Sequence, residues 1–396
     1  MTTRIPQNEM TILADGVARI DPLYSVLRRL FRSQMQAALA VGALHALVWI
    51  VLSLIVQKEL QKPGAITLLD FRNDAFGWFQ WVLLVPVLWY FYRWLPEGVT
   101  NALMRLCRNG VIDFRQSGKN RQSDDPPDYR VPALLADLSG VLARPLWTWL
   151  SVATATIIVL GQYFVHRPSE LGASFLSAWY ATRWSVYVLE PLTGINGYVC
   201  AQFAIRTIVS TLELRRYFSK SELKHVFLLH PDGGGGLGQL GRLSMQVALF
   251  SVFIGFWAVG ITLYPVAYGY GGPNFSIAVL TVYALYAVLV PSTLLAILWP
   301  AHMAMKRYKY WRLHLLSLQI QELLESLLLQ TRIETRTTTE AVENLGKLRG
   351  FYQLTKDIPE WPLSLPDFGR FGGFAALPAI TGLVSFALDF AKSWPF

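Results

Sequence analysis

Long apolar segments alternate with polar, positively charged segments along the chain. A helix needs about 20 mainly apolar residues to cross the hydrocarbon of a bilayer, where unpaired backbone groups are costly. Six segments meet this demand and are predicted to be transmembrane helices, at residues 36–56, 78–95, 146–165, 174–209, 243–264 and 275–300. A seventh run at 374–390 is slightly short and contains Pro378, so it crosses the membrane, dips back out of it or lies in the interface.

The composition agrees with a membrane protein. Of the 396 residues, 53% are hydrophobic and 15% are charged, and the mean hydropathy is +0.35. A soluble enzyme has a different profile. The expected fold is therefore all-α, with six or seven transmembrane helices and a cytoplasmic helical region. Residues 1–21 lack a short apolar core followed by a cleavage site, so we expect no removable signal peptide and insertion by the first hydrophobic helix.

The distribution of Lys and Arg predicts the orientation. One side of the predicted membrane carries five in residues 1–35, eight in 93–144, six in 206–242 and ten in 306–370. The other side carries four, at Lys58, Lys62, Arg72 and Arg167. Because positive loops stay in the cytoplasm, the N-terminus is predicted to be cytoplasmic. Aromatic residues at the segment ends, such as Tyr92 and Trp149, are expected to lie at the membrane surface.

The pattern divides the chain into alternating membrane and cytoplasmic parts. Leucines at helical spacing in residues 313–329 predict a helical hairpin or a subunit-contact helix. Residues 357–370 contain three prolines and are expected to form an extended connector. The predicted parts are an N-terminal segment 1–35, transmembrane pairs 36–95, 146–209 and 243–300, a flexible loop within 96–145, a basic glycine-rich segment 210–242, a helical region 301–370 and an apolar segment 371–396.

The most individual motif is HPDGGGGLGQLG at residues 230–241. Consecutive glycines adopt positive φ angles and let backbone N–H groups converge on an anion, most readily where a helix begins. His230, Asp232, Gly233 and Gly234 are therefore candidate ligand-binding residues. The motif is not a Walker loop, because no Lys-Ser or Lys-Thr follows the glycines. The alternative is a tight turn, capped by Asp232, that folds an amphipathic helix back against the membrane.

This motif, written HPDGxGGLxxLG and preceded by a basic amphipathic stretch, resembles one in uncharacterised multi-pass inner-membrane proteins of bacteria. The resemblance extends through the two following spans, the basic exit at 305–312 and the IPEWP connector at 358–362, or about half of the chain. It implies a bacterial inner membrane and brings no established chemistry.

Two clusters mix basic and aromatic side chains on the predicted cytoplasmic side. Such clusters bind nucleotides or single-stranded nucleic acid, with cations on phosphates and rings on bases. The same composition also suits a helix end that meets anionic lipid. The candidate binding cations are Arg215, Arg216, Lys220 and Lys224 in the first cluster and Lys306, Arg307, Lys309 and Arg312 in the second.

Charged and polar residues within the fourth apolar segment could line a polar pathway, because ionisable groups at membrane depth face partners or water. Alternatively the span boundary is misplaced, so that Arg183 extends outward to the interface and Glu190 pairs with it structurally. Pro191, Gly194 and Gly197 are expected to interrupt this helix. His45 in the first span is expected to be a packed residue. The candidate pathway residues are Arg183, Glu190, Asn196, Gln202 and Arg206.

No catalytic motif, metal-ligand spacing or cofactor fingerprint is found in the sequence, and Cys107 and Cys200 are expected to be small buried hydrophobes. The leading hypothesis is a homo-oligomeric channel gated by a nucleotide or nucleic-acid ligand on its basic side. By architecture alone it is similar to channel effectors of bacterial antiphage systems, such as the Hailong type. The alternatives are a membrane scaffold that meets lipid and a partner protein, and a secondary transporter.

Overall fold

Every regular element of the described residues is helical. The computed structural model describes residues 11–60, 75–108, 131–165, 183–220, 235–267, 273–330 and 335–363, and residues 369–373, 375–378, 380–381 and 384. The helices are α1 (Ile12–Ile20), α2 (Pro22–Leu30), α3 (Gln34–Leu60), α4 (Ala75–Trp78), a π-helical turn (Phe79–Leu84), α5 (Val85–Arg108), α6 (Val131–Leu142), α7 (Pro145–Val165), α8 (Arg183–Lys220), α9 (Gly238–Ala267), α10 (Pro273–Gln330) and α11 (Thr335–Lys356).

The six predicted apolar segments are helical wherever the structure describes them, which confirms the all-α prediction. Two of these helices are long and apolar enough to cross a membrane, α3 over Gln34–Ile55 and α9 over Gly238–Phe256, with mean hydropathies of 2.4 and 1.2. A third candidate is the pair Leu135–Leu142 and Pro145–Leu160, which is bent by 42°. Of the predicted loop segment 96–145, residues 96–108 continue α5 and residues 131–142 form α6, while residues 109–130 lie outside the described residues.

Large apolar side chains cover the outer surfaces of α3 and α7. Leu39 and Leu47 on α3 are 60% and 58% exposed, and Trp149 and Ile157 on α7 are 71% and 69% exposed. Water disfavours contiguous apolar surface of this kind, whereas lipid tails accommodate it. These two helices therefore present the surface expected of a membrane protein.

Two prolines lie inside helices where the sequence suggested an end or an interruption. Helix α5 continues through Pro96 to Arg108, and α8 continues through Pro191. A proline removes one backbone hydrogen bond but ends neither helix, and the Thr100 hydroxyl makes an additional hydrogen bond to Pro96 O over 2.8 Å. The prediction that Pro191, Gly194 and Gly197 interrupt the fourth segment was wrong, because both glycines instead accommodate side chains of α7.

Helix α5 lies at the centre of the bundle and packs against α3, α8 and α9, while α7 packs on α8 and α9 on α10. Aromatic rings fill the junction of α5, α8 and α9: the ring centroid of Phe250 lies 4.2 Å from that of Phe203 and 5.4 Å from that of Phe91. Tyr92 is fully buried and Trp89 is 3% exposed, so the interfacial position predicted for Tyr92 was wrong, whereas Trp149 is exposed.

Helix α10 has 58 residues and is therefore about 87 Å long. Its second half packs against α11 as a hairpin, which was one of the two predicted possibilities. The connector after α11 folds back onto α10: Lys309 Nζ donates to Ile358 O over 3.0 Å, and the His302 and Trp361 rings stack at 4.0 Å. The connector thereby fixes the base of the hairpin to the bundle.

Candidate functional site

The corner between α1 and α2 places one carboxylate inside the protein. Asp21 is the N-cap of α2 and is followed by Pro22, a pair of residue types that favours a helix start. The backbone N–H of Tyr24 donates to Asp21 Oδ1 over 3.1 Å. Only 2% of Asp21 is exposed, because Leu13, Val17 and Leu27 pack beside it in the core. The local cap therefore orients the carboxylate toward the bundle.

The second carboxylate oxygen faces a buried cation from α8. Arg206 donates through Nη2 to Asp21 Oδ2, and Tyr92 on α5 donates its hydroxyl to the same oxygen over 2.6 Å. The side chains of Arg206 and Asp21 are 4% and 2% exposed. Three elements that are distant in sequence thus meet at this buried ion pair.

Aromatic rings enclose the guanidinium. Arg206 Cζ lies 4.9 Å from the centroid of the Tyr92 ring and 5.3 Å from that of the Tyr24 ring. Cations above ring faces are stabilised, and more strongly so when water is excluded. Arg206 Nη1 has no hydrogen-bond partner among the residues that the structure describes. Burial also raises the pKa of Tyr24 above its ordinary value, so that ring stays neutral beside the cations.

A second cation extends the site along α5. Arg93 is 4% exposed, pairs with Glu97 one turn further and donates to the Tyr24 hydroxyl over 2.9 Å. Gln34, at the first position of α3, donates to Glu97. The tyrosine of α2 is therefore held between two buried arginines, and α3 joins the same network.

The residues of the predicted polar pathway that the structure describes have different surroundings. Arg206 is part of the buried ion pair, and Gln202 Nε2 lies 3.4 Å from the Tyr198 hydroxyl one turn earlier on α8. Asn196 Oδ1 accepts from Trp89 Nε1 over 2.9 Å, and Glu190 is 7% exposed. The Arg183 side chain lies outside the described residues. The described members thus make separate contacts within the protein.

The first basic cluster lies at the end of α8. Arg215 and Arg216 are exposed, and Arg216 Nη1 lies 2.5 Å from Glu213 Oε1. Lys220 ends the helix, but its side chain is outside the described residues, as are Lys224, His230, Asp232, Gly233 and Gly234 entirely. The exposed side chains of Arg215 and Arg216 thus lie nine and ten residues beyond Arg206 on the same helix.

The second basic cluster lies where α10 leaves the bundle. Lys306, Arg307 and Arg312 are exposed, and Arg312 Cζ lies 5.4 Å and 5.3 Å from the ring centroids of Tyr308 and Trp311. Lys309 differs from them, because its ammonium lies 3.2 Å from Glu360 Oε1 in the connector. Three members are exposed on the surface, and the fourth, Lys309, anchors the connector to α10.

The described end of the glycine-rich motif is a compact turn. Gly235 and Gly236 have φ angles of 64° and 92°, which L side chains rarely adopt. Leu237 and Leu240 are fully buried, and Leu240 N donates to Leu237 O over 2.9 Å. A Cβ at Gly241 would lie 2.5 Å from Pro362 O of the connector. This part of the motif packs the start of α9 against the connector, while Asp232, the cap of the predicted tight turn, lies outside the described residues.

Sequence reasoning missed the N-terminal helical pair, α1 and α2, and with it the carboxylate partner of Arg206. Ile12, Leu13 and Val17 recur at helical spacing, and the dipeptide Asp21-Pro22 is typical of a helix start. Those features could have identified the pair of helices. The contact itself joins residues 185 apart in sequence, which no local pattern reports.

Among the described residues, no group of three or more His, Cys, Asp or Glu side chains is arranged to hold a metal ion. His45, expected to be a packed residue, is 3% exposed, its Nδ1 lies 2.8 Å from Val41 O and its ring stacks on Trp81 at 5.8 Å. No protein-family model, curated protein or solved structure matches this chain.

Proposed function

We propose that this protein is a homo-oligomeric, non-enzymatic channel or pore of a bacterial inner membrane, closed while the N-terminal helical pair holds Arg206 and gated by an anionic ligand on its basic side. The observation that carries this proposal is the buried ion pair of Asp21 and Arg206. Removing two charges from water costs several kcal/mol per ion, so such pairs are poor devices for stability alone. A buried pair that is formed in the closed state and broken in the open state can instead act as a switch.

The proposed membrane arrangement has six crossings, with both ends of the first transmembrane pair, residues 36–95, in the cytoplasm. Helices α3 and α9 and the bent α6–α7 pair supply candidate spans, and the exposed apolar surfaces of α3 and α7 support the assignment. The bias of Lys and Arg toward one side supports a cytoplasmic N-terminus. In this arrangement the buried ion pair lies at the cytoplasmic end of the helix bundle.

Helix α8 links the proposed ligand-binding residues Arg215 and Arg216 to Arg206 of the buried ion pair. Arg206 and Arg215 are nine residues apart on this helix, which corresponds to about 14 Å. An anionic ligand bound at Arg215 and Arg216 acts on the same rigid element that Asp21 holds. A ligand shifts such an equilibrium only if it binds one of the two states more tightly. We expect it to bind the state in which Asp21 has released Arg206.

The hairpin of α10 and α11 supports self-association with a second copy of this chain. Leu328, Val342 and Phe351 are 78%, 59% and 59% exposed on its outer surface. Residues 313–330 carry the acidic groups Glu322 and Glu325, whereas α11 carries more basic than acidic residues. Packing α10 of one copy on α11 of another would bury the apolar side chains and pair opposite charges.

One specific form of the proposal is an effector of antiphage defence that responds to single-stranded nucleic acid. The exposed cations Lys306, Arg307 and Arg312, next to Tyr308 and Trp311, suit phosphates and stacked bases. Binding of this kind weakens steeply with salt. An oligonucleotide titration at two ionic strengths therefore tests it, and affinity that is absent or insensitive to salt would remove this form while leaving other anionic ligands to be tested.

The channel is tested by ion flux from liposomes that contain the purified protein. We expect low flux without ligand and higher flux when nucleotides or oligonucleotides are added on the basic side. The absence of flux under every condition, for protein that is folded and oligomeric, would reject the channel. A monomer without flux would instead favour a scaffold that uses the hairpin to hold a partner protein.

A further inference from the structure

The N-terminal helical pair carries an open groove between α1 and α2. Its volume is about 1000 Å³, and its lining includes Arg19 from α1 and Arg28 and Arg29 from α2. Arg28 pairs with Asp15, the one acidic residue of the lining, while Arg19 and Arg29 are exposed. Neither of these two has a carboxylate partner among the described residues. The groove therefore carries an excess of positive charge.

The other half of the groove is apolar. Val26 lines it and is 50% exposed, and Leu30, one turn further along α2, is 69% exposed. Arg29 lies between them on the same face of the helix, because residues three and four apart are neighbours. The exposed apolar surface continues at Met35 and Leu39 on α3, the first candidate membrane span. Cationic and apolar surface thus adjoin where the chain enters the membrane.

We propose that this groove binds the phosphate group of an anionic phospholipid, with Arg19 and Arg29 on the phosphate and an acyl chain along Val26 and Leu30. A guanidinium presents paired N–H groups that match two phosphate oxygens. Basic side chains at the cytoplasmic surface are also attracted by anionic lipid. Free phosphate shares the same chemistry but has no use for the apolar half. The proposal depends on membrane insertion and not on channel activity.

The test is native mass spectrometry of the full-length protein in detergent, titrated with phosphatidylglycerol or with phosphatidylcholine. We expect phosphatidylglycerol to bind more tightly, and the double variant Arg19→Gln, Arg29→Gln to weaken it about 30-fold, since each basic residue near an anionic lipid contributes roughly a factor of five. The matched control is Arg349→Gln, an exposed arginine on α11. It should leave the affinity unchanged.

A second arm identifies the source of the phosphate. Inorganic phosphate added in excess should not displace the lipid if the apolar half contributes to binding, and complete displacement would show that the groove takes a soluble phosphate. Replacing both arginines by lysine keeps the charge and should weaken binding less than replacing them by glutamine, which separates loss of charge from misfolding. Unchanged phosphatidylglycerol affinity in the glutamine double variant, or an equal loss in Arg349→Gln, would overturn the proposal. Neither result would bear on ion flux.

Discussion

Replacing Asp21 by Asn tests whether the buried ion pair joins the N-terminal helical pair to the bundle. The substitution keeps the shape of the side chain and removes its charge, which leaves Arg206 buried among Tyr24 and Tyr92 without a counter-ion. Breaking a buried pair from one side costs about 3–5 kcal/mol, because the remaining charge is uncompensated. We therefore expect the free energy of unfolding to fall by that amount.

The chain offers a matched control six residues earlier, at Asp15 of α1. Asp15 of α1 pairs with Arg28 of α2, and these side chains are 48% and 25% exposed. A pair in contact with water contributes about 1 kcal/mol or less. Asp15→Asn should therefore have a small effect, so any large effect of Asp21→Asn follows from burial and not from the loss of a carboxylate as such.

The assay is reversible unfolding in mixed micelles, followed by tryptophan fluorescence and circular dichroism, for a full double-mutant cycle of Asp21→Asn and Arg206→Gln. The cycle isolates the coupling between the two side chains from their separate contacts. We expect a coupling of at least about 2 kcal/mol for this pair, against about 1 kcal/mol or less for the cycle of Asp15 and Arg28. Equal couplings for the two pairs would refute the reasoning.

Three further predictions concern other parts of the molecule. Gly241→Ala should destabilise the protein by about 1–3 kcal/mol in the same assay, because its Cβ would meet Pro362 O. Gly346→Ala, with open space around it, should instead stabilise α11 by about 0.5–1 kcal/mol. Equal effects of the two substitutions would contradict the close contact between Gly241 and the connector. The double variant Leu328→Gln, Phe351→Gln should weaken self-association about 100-fold, measured by mass photometry. Each apolar side chain that is no longer buried in the interface removes about 1.5 kcal/mol of association free energy. An unchanged oligomer would place the interface elsewhere. Burial raises the pKa of Tyr24 above 10.0, so the stability that its neutral ring confers is complete below about pH 10 and is lost at higher pH. Tyr24→Phe should therefore flatten the plot of stability against pH in the alkaline range. A profile identical to that of the wild type would contradict this.

The long apolar helices could be predicted from the sequence, because a helix pairs the backbone N–H and C=O groups of an apolar segment that lipid leaves without partners. Helix α3 shows this most clearly, since its apolar residues lie all around its circumference. Helix interiors were harder to predict. Pro191 lies within α8 although it removes one backbone hydrogen bond, and Gly194 and Gly197 pack closely against α7 without interrupting the helix.

The candidate site could be predicted only in part. Arg206 and Gln202 were identified because charged and amide groups within an apolar segment are conspicuous. Asp21 was not, because it lies in a mostly polar segment and its role depends on a contact with Arg206, far away in the sequence. Tyr92 was assigned to the membrane surface, since composition alone does not distinguish a ring that faces headgroups from one that donates a hydrogen bond to a buried carboxylate.

The most direct test of the channel proposal is ion flux through Asp21→Asn in liposomes without any added ligand, compared with wild type and with Asp15→Asn. If the buried ion pair holds the channel closed, Asp21→Asn conducts without ligand, while Asp15→Asn stays as closed as wild type. The account is contradicted if folded, oligomeric Asp21→Asn protein shows the same ligand-free flux as wild type.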